Sequence, residues 1–550
     1  MAEPAPLGRM RWWGWGEDTR HTPLPAHALD FLRSTVGLGE HARAAAALAN
    51  VKLAPSALSA AQIAALRAIV GEEGVRVDHS ERVLHAAGKG YPDLVRMRSG
   101  VPQGAPDAVL YPRSHEQIQA LLELCARSSL AVVPFGGGTS VVGGVAPLRG
   151  AHAAVLALDM QHMDQVLALD AESATVTVQA GMRGPALERY LKEHGLTLGH
   201  FPQSFEYVSL GGCAATRSAG QSSTGYGSIE KMVLGLRVAT PVGEIALPPL
   251  PATAAGPSVR QLLIGSEGTL GVIGELSLRV RPAPAERIYE GLFFTDFHAG
   301  TEALRALAHA HALPDVARLS DEQETRMSLA LAGSGGLKGR AGRAYLGVRG
   351  YRGGCLAIFG FEGEAREVAS RRSRALEIAR SCGALAVGRS PGQAWLHGRF
   401  SAPYLRDDLL THGVMVETLE TATQWSNLQR LHGAVADAIG AALEAQGTPG
   451  LVMCHVSHIY ETGASLYFTF IARQSVGAEI EQWQAVKRAA SDAIVAGGGT
   501  ITHHHAVGRD HAPWMDREIG GVAVDALRAL KDRLDPTGIM NPEKLLPAIR

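Results

Sequence analysis

The chain reads as an α+β protein, two consecutive α+β domains with helical segments at both ends. Three observations predict this. Between Pro106 and Pro284 short apolar runs alternate with helical stretches. Beyond Pro284 the elements lengthen and glycine thins out. The 64 Gly and 28 Pro among 550 residues demand many tight turns, which long helical bundles lack. Apolar residues make up 46% and charged residues 19%, enough for large cores and too apolar for a disordered chain. At about 150 residues per domain, the length suggests roughly two to four domains.

The first 104 residues are helical and mixed, with an Ala-rich helix expected over 60–70 behind a Ser59 cap. Trp12, Trp13 and Trp15 have two readings. One is a membrane-surface anchor, since aromatic rings favour the lipid interface; the other, preferred, is a staple fastening the N-terminal arm onto the body. Residues 108–111 read as a short strand, Ser114 caps a helix over 115–128, and 130–134 form a strand that runs into glycines. Further strands are expected over 153–158, 175–178 and the period-two run 272–280. After Pro284, strands near Ile288, Ala357 and Leu466 are separated by helices such as 365–382. An amphipathic helix over 479–496 is broken by Gly497-Gly498-Gly499, and Thr500-Ile501-Thr502 starts an extended segment. The tail holds a helix over 522–534 and a turn-rich stop from Asp535 to Pro542. No internal repeat stands out.

Composition narrows the function. With 52 Lys+Arg against 53 Asp+Glu the net charge is −1, which argues against a nucleic-acid partner, because phosphate neutralisation needs a basic surplus. Five cysteines without a C-x-x-C pair argue against a disulfide framework or structural zinc and for a reducing compartment. The N-terminus has no apolar signal region, no apolar run approaches the ~20 residues of a membrane span, and Pro547-Ala548-Ile549-Arg550 is no peroxisomal tripeptide. A soluble, cytoplasmic protein is expected.

Chemistry concentrates in a few places. Pro134-Phe135-Gly136-Gly137-Gly138-Thr139-Ser140 leaves a strand and turns, and successive glycine N–H groups can converge on a diphosphate; its spacing is neither G-x-G-x-x-G nor a P-loop. A second small-residue loop runs from Pro202 to Gly220, and a third is Gly265-Ser266-Glu267-Gly268-Thr269-Leu270-Gly271. On an extended segment, His503 and His505 would project to one side and His504 to the other. Imidazoles at i and i+2 can share an ion, but a third ligand would have to come from elsewhere, and no metal is expected. In Ser465-Leu466-Tyr467-Phe468-Thr469-Phe470, Leu466, Phe468 and Phe470 make an apolar face while Tyr467 and Thr469 point the other way. Tyr467 is then free to face a pocket, or is an ordinary strand tyrosine.

The order GGGTS, SLGG…TRSAG…YG, GSEGTLG resembles the flavin-binding domain of the vanillyl-alcohol oxidase and p-cresol methylhydroxylase superfamily. Met10-Arg11-Trp12-Trp13-Gly14-Trp15-Gly16, Pro403-Tyr404-Leu405-Arg406-Asp407, Leu419-Glu420-Thr421 and His503-His504-His505-Ala506-Val507-Gly508 are similar to one branch, the alkyldihydroxyacetonephosphate synthases. The likeness runs from about Met10 to Leu546 and is weaker over 331–343.

The resemblance implies a helical N-terminal segment (1–104), a two-subdomain FAD-binding domain (105–284), an α+β substrate or cap domain that includes the His trio (285–512), and a helical tail returning to the FAD domain (513–550). It implies FAD held by Pro134, Phe135, Gly136, Gly137, Gly138, Thr139, Ser140, Gln203, Ser204, Ser209, Gly211, Gly212, Thr216, Arg217, Ser218, Ala219, Glu267, Gly268, Thr269 and Gly271. Covalent relatives commonly carry a His in or near the first loop. This loop has none, so dissociable FAD is expected. The implied reaction exchanges the acyl chain of acyl-dihydroxyacetone phosphate for a fatty alcohol through a flavin N5 adduct, without net redox. Tyr467, His503, His504, His505 and Arg406 would be catalytic, with Arg318 and Arg406 binding substrate; Tyr460 is the lesser acid/base candidate. Arg406 also has the plain reading of a helix-surface arginine paired with Asp407 or Asp408. The alternative activity is an FAD-dependent oxidase or dehydrogenase of a 2-hydroxy acid or alcohol. The expected partners are a small-molecule or lipid substrate, with peripheral membrane contact and a homodimer as further expectations.

Overall fold

The computed structural model describes residues 8–20, 23–38, 43–332 and 337–548. Parts of the N-terminal segment, residues 333–336 in the stretch of weaker resemblance, and the terminal Ile549-Arg550 lie outside the described residues.

Local chemistry sets the first elements. Ser59 and Gln62 form a reciprocal capping box on the helix Ala60–Val70. Ser114 accepts from the Gln117 N–H at the start of His115–Ser128, whose buried Ile118, Leu121, Leu122 and Cys125 recur at helical spacing. Each large apolar side chain buried this way contributes about 1.5–3 kcal/mol. Ser129, in the left-handed conformation, ends the helix and turns the chain into the strand Leu130–Phe135.

That strand pairs in parallel with Ala154–Asp159, which pairs in parallel with Ala108–Leu110; the short Val75–Arg76 closes the sheet antiparallel. Ala154–Asp159 is buried throughout, as a central parallel strand covered on both faces should be. A second, antiparallel sheet orders Val166–Asp170, Thr175–Gln179, Val272–Arg279, Val233–Thr240 and Gly243–Leu247. One apolar core joins the two sheets and takes in Ile539 and Met540 of the tail. The tail reaches the free edge of Leu130–Phe135, where Val132 donates to Ile539 and accepts from Asn541, both at 2.8 Å.

The second half holds a seven-stranded antiparallel sheet in the order Leu385–Gly388, Glu286–Phe294, Cys355–Gly363, Val316–Ser320, Leu451–Val456, Gly463–Arg473, Val414–Gln424. One face packs on the helices Phe297–His309, Ala365–Ser381, Leu428–Ala445 and Glu479–Ala496. In Gly463–Arg473, Leu466, Phe468 and Phe470 point into that core and Tyr467 and Thr469 face away from it.

Trp12 and Trp15 are buried, with Trp15 edge-on to Tyr207 at 5.5 Å, and Trp13 lies under the guanidinium groups of Arg11 and Arg98. These rings staple the arm inward rather than presenting it to lipid. Among the described residues, no helix is long and apolar enough to cross a membrane.

Candidate active site and cofactor groove

One cavity of about 510 Å³ runs between the two halves. One end is walled by the three glycine loops, and all the residues assigned above to the cofactor line it except Arg217 and Thr269. Arg217 turns away to donate to the Gln261 carbonyl, and Thr269 is buried on the Ser266 carbonyl. Glu267 lines the groove, but its carboxylate accepts from the Val507 and Gly508 N–H groups, tying the third loop to the chain that follows the histidines. Burial pushes its pKa up to about 7 against those two hydrogen bonds.

The groove fits a dinucleotide. A Cβ on Gly136 would overlap the Ser209 hydroxyl and one on Gly137 the Tyr207 carbonyl, so only glycine allows the first two loops to meet. Among the described residues, no protein acceptor takes the N–H groups of Gly136, Gly137, Gly138 or Thr139. Unspent donors at a glycine turn are what a diphosphate requires.

The middle of the cavity is polar. Pairing across the seven-stranded sheet sets Ser320, His455, Tyr467 and Glu420 in one row, each opposite the next. Tyr467 stacks on His455 at 4.7 Å, lies 5.9 Å from the His504 ring and meets His505 edge-on at 5.4 Å. Burial pushes the Tyr467 phenol up to about 12 and the His504 imidazole down to about 4, so at neutral pH the first is a proton donor and the second an acceptor.

The histidines do not lie on an extended segment. Residues 501–505 bend, because the carboxylate of Glu420 captures the N–H groups of His503, His504 and His505 in succession. The sides therefore differ from strand alternation. His504 and His505 line the cavity, while His503 turns to the Tyr460 hydroxyl and stacks on His458 at 4.8 Å. His458 brings a further imidazole to the trio. The Nδ1 atoms of His503 and His504 are 2.8 Å apart and Nδ1 of His458 is 2.6 Å from the Ser223 hydroxyl; ligand atoms of His458, His503 and His504, and of Glu420, His504 and His505, lie within 4.8 Å of one another, close enough to hold an ion.

Arg406, on the helix Ala402–Thr411, gives Nη1 to the Lys89 carbonyl at 2.7 Å; its buried Nε and Nη2 have no hydrogen-bond partner, and Asp407 is 3.8 Å away. Arg318 also lines the cavity, but Glu324 neutralises it at 2.8 Å and its guanidinium rests against His455. Lys89, His455, His458 and Glu420 were not assigned a role from sequence. Glu420 stands in the Leu419-Glu420-Thr421 motif; Lys89, between Gly88 and Gly90, gave the weaker signal.

The far end is apolar. Leu405 and Leu409 of the Arg406 helix, Val416, Met453 and Ile471 of the sheet, and Leu24 and Leu32 of the N-terminal arm line it. The arm is held there by the Trp15 and Leu24 N–H groups on Asp407 and Asp408, and by the Lys89 ammonium on the Arg11 carbonyl at 2.8 Å.

Fold and groove together define an FAD-linked enzyme. Residues 106–246 match the model of the FAD binding domain, and residues 283–545 that of the C-terminal domain of FAD linked oxidases. More narrowly, the chain belongs to the alkyldihydroxyacetonephosphate synthase family. It is 35% identical over 492 residues to the alkyldihydroxyacetonephosphate synthase of Dictyostelium discoideum, covering 88% of this chain and 80% of that one. A solved alkyldihydroxyacetonephosphate synthase superposes with a TM-score of 0.85 at 29% identity, over 98% of this chain and 99% of the other. p-Cresol methylhydroxylase shares the fold at a TM-score of 0.68 and 15% identity, over 90% of this chain and 98% of that one.

Proposed function

We propose that the chain exchanges the acyl group of acyl-dihydroxyacetone phosphate for a long-chain alcohol, with FAD bound noncovalently. Arg406 is the observation that carries this reading. Arg406 lines a cavity whose apolar end is lined from the same helix, and two of its buried guanidinium nitrogens have no hydrogen-bond partner, with Asp407 at 3.8 Å the nearby carboxylate. In a site of low dielectric such a fork seats a carboxylate or phosphate, while the apolar end takes hydrocarbon. Arg318, paired with Glu324 at 2.8 Å, and Lys89 are the other cationic residues that line the cavity.

When bound, FAD supplies a reversible electron-rich nucleophile that no side chain offers. The protein's own work is proton handling and orientation. Tyr467 starts protonated and His504 starts neutral, so one can give a proton and the other take one. The five cysteines are unpaired, which supports a reducing cytoplasmic location, and the apolar end supports a substrate drawn from a membrane surface.

The holoenzyme given acyl-dihydroxyacetone phosphate and a long-chain alcohol should yield an ether lipid and free fatty acid. Arg406→Gln should keep FAD and lose roughly 10- to 100-fold in kcat/KM for the acyl substrate, the worth of a hydrogen bond to a charged group. An unchanged kcat/KM would remove Arg406 from anion binding.

A further inference from the structure

We propose that Glu420 is the positioning residue of the proton-transfer cluster: it folds the turn of residues 503–505 around its carboxylate and gives the imidazole of His505 a fixed negative neighbour. This deepens the reading above and rests on it.

The carboxylate is buried, 1% exposed, on the strand Val414–Gln424 opposite Tyr467. Its Oε1 accepts from the His505 N–H at 2.6 Å, the Thr502 hydroxyl at 2.9 Å and the His504 N–H at 3.0 Å, and its Oε2 accepts from the His503 N–H. Only an acceptor-only group with two oxygens can meet so many donors; a glutamine would turn its own NH₂ toward at least one of them. Burial alone would push the carboxyl pKa up, but the neighbouring imidazoles and the N–H donors outweigh it and hold the group well below the ordinary carboxylate range.

Among the described residues, no lysine or arginine reaches Glu420 at ion-pair distance. The one ionisable partner there is His505, whose Nδ1 is 3.5 Å from Oε1. That nitrogen is on the side of the anion, and His505 also lines the cavity. The other groups facing His505 are Tyr467 from the adjacent strand, His503 and His504 from its own turn, Lys487 from the helix Glu479–Ala496 and His511 beyond. Of these neighbours Glu420 alone is negative. Burial pushes His505 below its ordinary value and Glu420 pulls it back. A proton taken by His505 would otherwise leave a cation unbalanced inside the protein; beside Glu420 it completes a neutral pair.

The test uses FAD-loaded wild type, Glu420→Gln, His505→Gln and the double variant. Glu420→Gln should bind FAD, keep KM within about threefold and lose about 10²-fold in kcat. Without the anion His505 is harder to protonate, so its titration, followed by ¹⁵N NMR, and the acid limb of the pH profile should both move to lower pH. In the His505→Gln background the Glu420→Gln change should cost little more, because the two act as one unit. A kcat within about threefold of wild type with an unmoved acid limb, or full additivity of the two changes, would overturn the proposal. If Glu420→Gln does not hold FAD, Glu420→Asp replaces it; its carboxylate sits one methylene farther back, and the same shift should appear at smaller size. Its absence would contradict the role. If the wild type does not process the lipid pair, the proposed reaction fails. The NMR titration still decides this inference, by whether His505 titrates higher in wild type than in the variant.

Discussion

Tyr467 shows how surroundings set a side chain's task. Its ring is stacked on one imidazole and edge-on to another, and desolvation pushes its phenol up to about 12, so it stays protonated across the physiological range. Tyr467→Phe should therefore keep FAD and ring packing and lose about 10²–10⁴-fold in turnover, read from steady-state kinetics beside the flavin spectrum. Turnover at the wild-type rate would reduce Tyr467 to a strand residue. Its orientation was legible in the sequence, because strand alternation is strict and its neighbours Leu466, Phe468 and Phe470 are unmistakably core. The histidines were legible as a cluster but not in their directions. Those depend on a carboxylate more than eighty residues earlier that bends the backbone, and no local pattern carries such a contact.

Among the elements, helices with strong caps were readable to the residue. Ala60–Val70 and His115–Ser128 begin and end where composition places them, since capping is chemistry between near neighbours, while Glu479–Ala496 has no side-chain cap at Ala478 and was readable from its amphipathic pattern and the glycines that end it. Strand order in the seven-stranded sheet was not readable. Val316–Ser320 pairs with Leu451–Val456 across more than a hundred residues, and only packing decides such partners. The glycine loops lie between these cases: their conformational need was visible, their mutual contact was not. Gly136→Ala should push against Ser209, whose hydroxyl caps the helix Leu210–Ala215 through the Gly212 N–H. Overpacking of about 1–3 kcal/mol and loss of a cap worth about 1 kcal/mol should lower the melting temperature and the FAD content of the purified protein. Full FAD content with an unchanged melt would mean that the loops do not need this close approach.

At the scale of the whole molecule, function lies where the halves meet. The N-terminal arm, the FAD-binding loops, the seven-stranded sheet and the helix Ala402–Thr411 each give one wall of a single cavity. The apolar end was not legible in the sequence, because its residues come from four distant segments and each taken alone looks like ordinary core. The cofactor groove was legible, because three glycine loops in a fixed order are specific. Its first loop, Gly136-Gly137-Gly138-Thr139, has no residue that bonds a flavin covalently, so acid precipitation should leave the yellow colour in the supernatant; a yellow pellet would refute noncovalent binding. The central claim is that acyl exchange proceeds here without net redox. The most direct measurement is one anaerobic cuvette of holoenzyme, with the flavin band and the products followed together. Acyl-dihydroxyacetone phosphate plus a long-chain alcohol should give ether lipid and free fatty acid, with the flavin returned to its starting oxidation state and no electron acceptor added. Persistent bleaching by an alcohol or a 2-hydroxy acid alone, with no ether formed from the lipid pair, would contradict the account and make the chain a dehydrogenase.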